Sequence, residues 1–155
     1  MIVTPSLATS HVFSLTIEVA APIEAGDFGY GARRIIPIIG GELHGEGLSG
    51  VILPGGADYQ VIRPNGFTEL EARYAVAMAD GAVVYIENIG VRFGPKEALD
   101  RIRAGLPVAP ELIYFRSVPR FETGASQYQW LMQNLFIGSG VRRPDCVELD
   151  VFQVL

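Results

Sequence analysis

Residues 11–19 alternate strictly: Phe13, Leu15, Ile17 and Val19 fall on one side, Ser14, Thr16 and Glu18 on the other. A period of two marks a strand with one face buried and one wet. Similar runs recur along the chain. Residues 35–39 form a short apolar strand in which Pro37, unable to donate to a ladder, calls for an edge or a bulge. Residues 40–53 continue as strand, bent at Gly45, Gly47 and Gly50. Residues 58–63, 112–117, 136–142 and 147–154 add further strands, separated by turns at Pro54-Gly55-Gly56 and Pro64-Asn65-Gly66. Residues 21–34 read instead as a loop whose Asp27, Phe28 and Tyr30 cover a cavity mouth.

The strongest local signal is Asp80-Gly81 between residues 69–79 and 82–93, the dipeptide of a two-residue hairpin turn. Such a turn sets Ala77 opposite Val84, Ala75 opposite Ile86, Arg73 opposite Asn88 and Glu71 opposite Gly90. One face then carries Glu71, Arg73, Asn88 and Arg92 among Ala75, Ala77, Ala82 and Gly90. The other carries Leu70, Tyr74, Val76, Met78, Val83, Tyr85, Ile89 and Val91.

Helices are minor. Residues 95–104 open on Pro95 and stop at Gly105, as a surface insertion. Residues 126–135 present Tyr128, Leu131, Met132 and Leu135 at helical spacing behind a Ser126 cap. The count predicts an all-β, mainly antiparallel fold: one domain over residues 1–155, a closed barrel of about 8–10 strands with two short helices. Closure leaves no bare edge, and a barrel of ~8 strands is either filled by side chains or holds one small ligand.

Composition narrows the chemistry. Twelve basic residues are scattered against seventeen acidic ones, for a net charge of −5, so no footprint for a nucleic-acid backbone exists. No apolar run approaches the ~20 residues of a membrane span, and the opening MIVTPSLATSHVF lacks the flank and core of a leader, so a cytoplasmic protein is expected. Cys146 is the single cysteine, which excludes an internal disulfide and a thiolate cage. Lys96 is the single lysine, on a polar helical segment without the desolvation that Schiff-base chemistry needs. There is no nucleophile elbow, phosphate-binding loop or dinucleotide fingerprint, so no cofactor is expected. Glu42, His44 and Glu46 share one strand side, but the two glutamates would lie about 13 Å apart at ~3.3 Å per residue, too far to share a metal. His11 has no neighbouring partner in the sequence.

The runs GGELHGEGLSGVILPGGADYQVIRPNG, ELEARY, DGAVVYIENIGVR and PRFETGASQYQWLMQNLFIGSGVR, in that order and spacing, closely resemble the domain of unknown function 3237 family over nearly the whole chain. That resemblance implies a β-barrel similar in outline to calycin or allene-oxide-cyclase-like barrels, commonly oligomeric, from genes often found in small-molecule and aromatic metabolism. Residues 95–110 are longer than the family usually carries there.

Several groups carry candidate chemistry. Arg73 and Arg92 suit a carboxylate or a developing oxyanion, Asn88 suits a carbonyl, and Glu71 moves a proton if burial raises its pKa; two exterior cross-strand ion pairs are the plainer alternative. Asp58 follows a glycine pair, where backbone approaches a ligand closely, and is the preferred general acid or base, with Tyr59 on the opposite face. A turn aspartate bonding its own backbone is the alternative there. Arg120 and Glu122 lie on one side of a strand with Phe121 opposite, as part of a site or as a strut to the next helix. Tyr128 and Trp130 offer aromatic surface to a flat ligand, or to the core.

The expectation is a cofactor-independent enzyme moving a proton on a small apolar or aromatic carbonyl metabolite, by isomerisation, cyclisation, lyase or hydrolytic chemistry. Asp58, Glu71 and Arg73 would be catalytic; Tyr59, Asn88, Arg92, Arg120, Glu122 and Trp130 would bind substrate, with no metal. A non-catalytic carrier of such a metabolite is the first alternative, and a filled, structural homo-oligomer the second. Assembly as a homo-oligomer is expected in each case.

Overall fold

The structure, a computed structural model, describes residues 3–155. Its strands are β1 (Thr9–Val19), β2 (Ile23–Asp27), β3 (Ala32–Gly45), β4 (Leu48–Ile52), β5 (Gly56–Ile62), β6 (Thr68–Met78), β7 (Val83–Phe93), β8 (Tyr114–Glu122), β9 (Phe136–Arg142) and β10 (Cys146–Val154). Two short helices interrupt them, α1 (Lys96–Arg103) and α2 (Trp130–Gln133). All strand pairs are antiparallel, and the β1–β3 pairing closes the sheet on itself. β1 and β2 both lie against β3, and β4 and β5 both lie between β3 and β6. Each of those two pairs therefore makes one interrupted stave, and the closed barrel has eight.

Alternation does what the sequence pattern demands. Phe13, Leu15 and Ile17 of β1 point inward, as do Val76 and Met78 of β6, Val84 and Ile86 of β7, and Leu149 and Val151 of β10. Pro37 is tolerated inside β3 because it sits where β1 has ended and β2 has not begun. A residue's N–H and C=O point to the same side of a strand, and the Pro37 carbonyl there accepts from Ala20 N–H at 3.0 Å.

The structure corrects four local expectations. Residues 21–34 contain β2 and the start of β3 rather than a loop, and Phe28 and Tyr30 lie exposed on the outside. The bent strand over residues 40–53 is a hairpin, β3 and β4 turning at Glu46-Gly47. The second helix is a 3-10 turn at Ser126–Tyr128 followed by the four residues of α2, and Ser126 makes no cap. Helix α1 is no surface appendage: Ala98, Leu99 and Ile102 are buried, and the Arg34 guanidinium donates to the Arg103 carbonyl at 3.2 Å. That bond satisfies one of the carbonyls a helix leaves open at its C-terminus.

The hairpin register is the correction that matters most. Met78 N–H donates to the Ala82 carbonyl at 2.7 Å and Gly81 N–H to the Met78 carbonyl at 2.9 Å, so Ala79, Asp80 and Gly81 form a three-residue loop. Only Gly81 takes positive φ, at 91°, whereas a two-residue type I′ turn needs it at Asp80 as well. Ala77 therefore faces Val83, Arg73 faces Glu87 and Glu71 faces Ile89. A slip of one residue exchanges the faces of one strand relative to the other. Glu71 and Arg73 point outward, and Asn88 and Arg92 point in.

Candidate functional site

The two ends of the barrel are finished differently. At the end beneath α2, Phe13, Phe121 and Phe136 interlock edge to face, with ring centres 5.7 and 5.2 Å apart. Trp130 leans on Phe136 at 5.9 Å, and Leu131 and Tyr128 cap the cluster. Tyr128 Oη donates to Asp80 at 2.7 Å, and Asp80 also accepts from Ala82 N–H at 3.0 Å and from Gln127 at 3.1 Å. These bonds hold the Asp80 carboxyl below its usual pKa, the Tyr128 hydroxyl contributing most. Trp130, a sequence candidate for substrate binding, belongs to this packed end.

At the other end, beside α1, small and polar side chains replace the aromatic cluster and leave a cavity of about 50 Å³. Its wall is apolar at Ile36, Leu70, Phe115 and Val147 and polar at Asp58, Gln60, Asn88, Arg92, Ser117 and Arg142. Alternation explains the membership: Asp58 and Gln60 are successive inward positions of β5, and Asn88, Gly90 and Arg92 of β7. Gly140 makes room for Phe115, since a Cβ at Gly140 would lie 2.8 Å from three carbons of that ring. The Arg92 guanidinium sits 5.7 Å above the Phe115 ring centre.

Asp58 accepts from Gln60 Nε2 at 2.8 Å and from Glu71 N–H at 3.0 Å. Burial pushes its pKa above the ordinary carboxylate value, opposed by these hydrogen bonds and by Arg92. Burial likewise lowers Arg92, to about 10, partly offset by Asp58, so it stays charged at neutral pH. Burial lowers Arg142 and Arg34 too, and these two arginines depress Arg92 further. Arg34 has its own partner, Glu24, at 2.9 Å. Arg92 has neither a carboxylate within 4 Å nor a hydrogen-bond acceptor among the described residues.

Arg92 Nε, Gln60 Oε1, Asn88 Oδ1, Ser117 Oγ and Tyr74 Oη all lack a hydrogen-bond partner among the described residues. All five side chains are more than nine-tenths buried, and all five line this one cavity. A buried polar atom normally finds a partner, so five orphans around one space mark a place built to meet polar atoms from outside.

Of the sequence candidates, the structure brings together Asp58, Asn88 and Arg92. Glu71 contributes to the site only its backbone N–H, while its side chain pairs with Arg73 at 2.6 Å on the outside. Arg73 also lies 3.6 Å from Glu87, so the plainer alternative, exterior ion pairs, describes that pair. Tyr59 is 40% exposed and lines an outer groove with Tyr30 and Phe67. Arg120 and Glu122 are exposed on the outward face of β8 and form no strut, having no ion pair within 4 Å among the described residues. Glu42 and His44 face solvent. His11 does have a partner, Ser14 Oγ at 3.0 Å, but Ser14 donates its proton to Asp150, so the three form no nucleophilic relay.

Sequence reasoning missed Gln60, Tyr74, Ser117 and Arg142. Gln60 was accessible, being two residues from Asp58 on the same strand face. Tyr74 falls among apolar residues on its strand face, and nothing local marks Ser117 or Arg142.

The protein is thus an eight-stave antiparallel barrel with one packed end and one polar, hollow end. The family model described as protein of unknown function (DUF3237) matches residues 7–154, and the chain belongs to that family. A UPF0311 protein of Rhodopseudomonas palustris strain TIE-1 is 59% identical over 98% of this chain and 99% of its own. Among solved structures, a conserved protein of unknown function from R. palustris matches with a TM-score of 0.93 at 58% identity, covering 98% of this chain and all of that one. A beta-barrel like protein from Acinetobacter baumannii matches at 0.87 and 32% identity over the full length of both chains. A protein from Penicillium herquei described as an enzyme shares the fold at a TM-score of 0.74, covering both chains fully at 15% identity.

Proposed function

We propose that the protein is a cofactor-independent enzyme that moves a proton on a small carbonyl metabolite, whose apolar or aromatic body lies along Ile36, Leu70, Phe115 and Val147. The observation that carries this reading is Asp58: a carboxylate of raised pKa, bonded in place, at the wall of a cavity ringed by polar atoms without partners. Its carboxylate takes a proton from the carbon beside the carbonyl, and the electron pair released moves onto the carbonyl oxygen. Arg92 and Asn88 receive that oxygen as it gains charge. The protonated Asp58 then returns the proton to a second position, and where it returns decides between isomerisation, ring closure and loss of a leaving group. Gln60 is a positioning residue that fixes the carboxylate. The distant likeness to a fungal protein called an enzyme is compatible with this reading and adds only the fold.

The test is hydrogen exchange into a panel of enolisable carbonyl compounds in D2O, followed by proton NMR. The wild type is expected to exchange at least one member, and Asp58→Asn to lower that rate by about 100-fold or more. Unchanged exchange in the variant removes the acid–base role from Asp58. Exchange in neither protein, with ligands still bound, favours a carrier over an enzyme. Outside the barrel, Ile89 of β7 pairs with Val118 of β8 in an exposed apolar patch that also includes Ile137. We assign that patch to homo-oligomer contact, which light scattering of the purified protein checks.

A further inference from the structure

We propose that the substrate of this cavity is a small oxo carboxylate, its carboxylate seated by Arg92 and Arg142 and its keto oxygen turned to Asn88. The inference deepens the proton-transfer reading and rests on it for the chemistry, but the anion seat stands on separate observations.

The first is charge. Three guanidinium groups, Arg34, Arg92 and Arg142, gather at this end: burial lowers all three, Arg142 and Arg34 lower Arg92 further, and Arg34 lowers Arg142. Arg34 is answered by Glu24, and Asp58 is the single carboxylate lining the cavity among the described residues, itself shared between Gln60 and a backbone N–H. A surplus of positive charge remains. Burying an uncompensated cation is costly, and an anionic ligand is the economical answer.

The second is donor supply. Arg92 is 3% exposed, its buried Nε has no partner, and its guanidinium makes no hydrogen bond among the described residues. Arg142 donates from Nη1 to the Arg143 and Cys146 carbonyls, which fixes its stem. A planar carboxylate accepts two parallel bonds from one guanidinium, a match that neutral carbonyls lack. Arg92 alone can hold a carboxylate oxygen and still reach a keto oxygen beside Asn88.

The third is the complement of acceptors and donors left over. Asn88 Oδ1, Gln60 Oε1, Ser117 Oγ and Tyr74 Oη have no partner among the described residues, and two of them are hydroxyls that either donate or accept. Of this set, the Ser117 and Tyr74 hydroxyls can donate to a ligand's carboxylate and keto oxygens, whereas Asn88 Oδ1 and Gln60 Oε1 only accept, and Asn88 meets the keto oxygen through its Nδ2–H. A hydrocarbon leaves all of it unpaired.

The experiment measures affinity by calorimetry for carboxylates and their amides of like shape: acetate and acetamide, pyruvate and pyruvamide, benzoylformate and its amide. The expected result is that at least one carboxylate binds about tenfold or more tightly than its amide, the oxo acids ahead of acetate. Arg92→Met, which keeps the stem length and removes the charge, is expected to abolish that preference. Arg142→Met serves as the second variant if the first does not fold, circular dichroism deciding which is used. Asp58→Asn is expected to retain the preference while losing proton exchange, so unchanged exchange with intact carboxylate binding sinks the acid–base reading alone. No preference for any carboxylate in the wild type, or a preference that survives loss of the arginine charge, overturns the seat.

Discussion

The α2 end and the α1 end are cut from the same eight staves by the same alternation, yet one is solid and the other hollow. At the α2 end inward positions are Phe13, Met78, Val84, Ile86 and Phe136, and the void bordered by the first four is only about 10 Å³. At the α1 end the corresponding positions are Asp58, Gln60, Asn88, Gly90, Arg92 and Ser117. Close packing rewards the first arrangement, and the second forfeits dispersion contacts while desolvating polar groups. Stability is thus concentrated at one end and the candidate chemistry at the other, a division in which the rigid end holds the strands that aim the polar side chains.

Phe136→Ala at the packed end should show the largest effect. The ring is 1% exposed and wedged against Phe121 and Trp130, so its removal leaves a cavity and costs about 3–5 kcal/mol. Phe115→Ala at the hollow end should cost clearly less, because its ring already borders open space. Chemical denaturation of both variants checks the ordering, and equal losses would mean that the two ends are not energetically distinct.

Arg92→Met should move stability the other way. Without ligand it removes a buried guanidinium that has no acceptor among the described residues, and a gain of about 1–3 kcal/mol is expected. A lowered Tm would instead make Arg92 a structural cation tied to Phe115.

Asp58→Asn is the next smaller effect, and its sign follows from linkage. The folded pKa of Asp58 lies above the unfolded value, so the native state binds the proton more tightly and stability falls as pH rises through the folded pKa. The substitution removes that loss at neutral pH, since the new amide bonds Gln60 Oε1 after a flip of the Gln60 amide. A modest rise in Tm at pH 7 that fades as pH falls through the folded pKa and is gone below the unfolded one is expected. Thermal melts of both proteins across pH 3–8 read it, and a gain that does not vary with pH would place its origin elsewhere. Asp80, at the other end, has the opposite sign: its lowered pKa stabilises above the ordinary carboxylate value and is lost as pH falls through the folded one.

The barrel was readable because alternation, glycine turns and the count of strands all agree, and a closed sheet is the arrangement that satisfies them together. Asp58 was readable because a glycine pair precedes it and period two gives its face. The pairing of β6 with β7 was not. Asp-Gly serves a two-residue loop and a three-residue loop alike, and the choice was decided by tertiary partners that the hairpin's own residues do not name. Asp80 is held by Gln127 and Tyr128, nearly fifty residues later in the chain. Arg142 and Ser117 were invisible for a related reason: each is an ordinary strand residue until closure of the barrel brings β8 and β9 round to face β5.

Arg73→Ala should have the smallest effect, and it tests the register directly. In a two-residue hairpin Arg73 stands beside Asn88 in the cavity, and its loss removes an oxyanion donor, with a drop of two to three orders of magnitude on the ordinary scale for such a group. In the structure Arg73 lies outside, bonded to Glu71 and near Glu87, with half of its side chain in solvent. Surface pairs of that kind contribute little, because water screens them and ordering two long side chains offsets the attraction. Tm, proton exchange and carboxylate affinity should all stay at their wild-type values. A loss of exchange in this variant would return the strand to the two-residue register and exchange the inside of β6 for its outside.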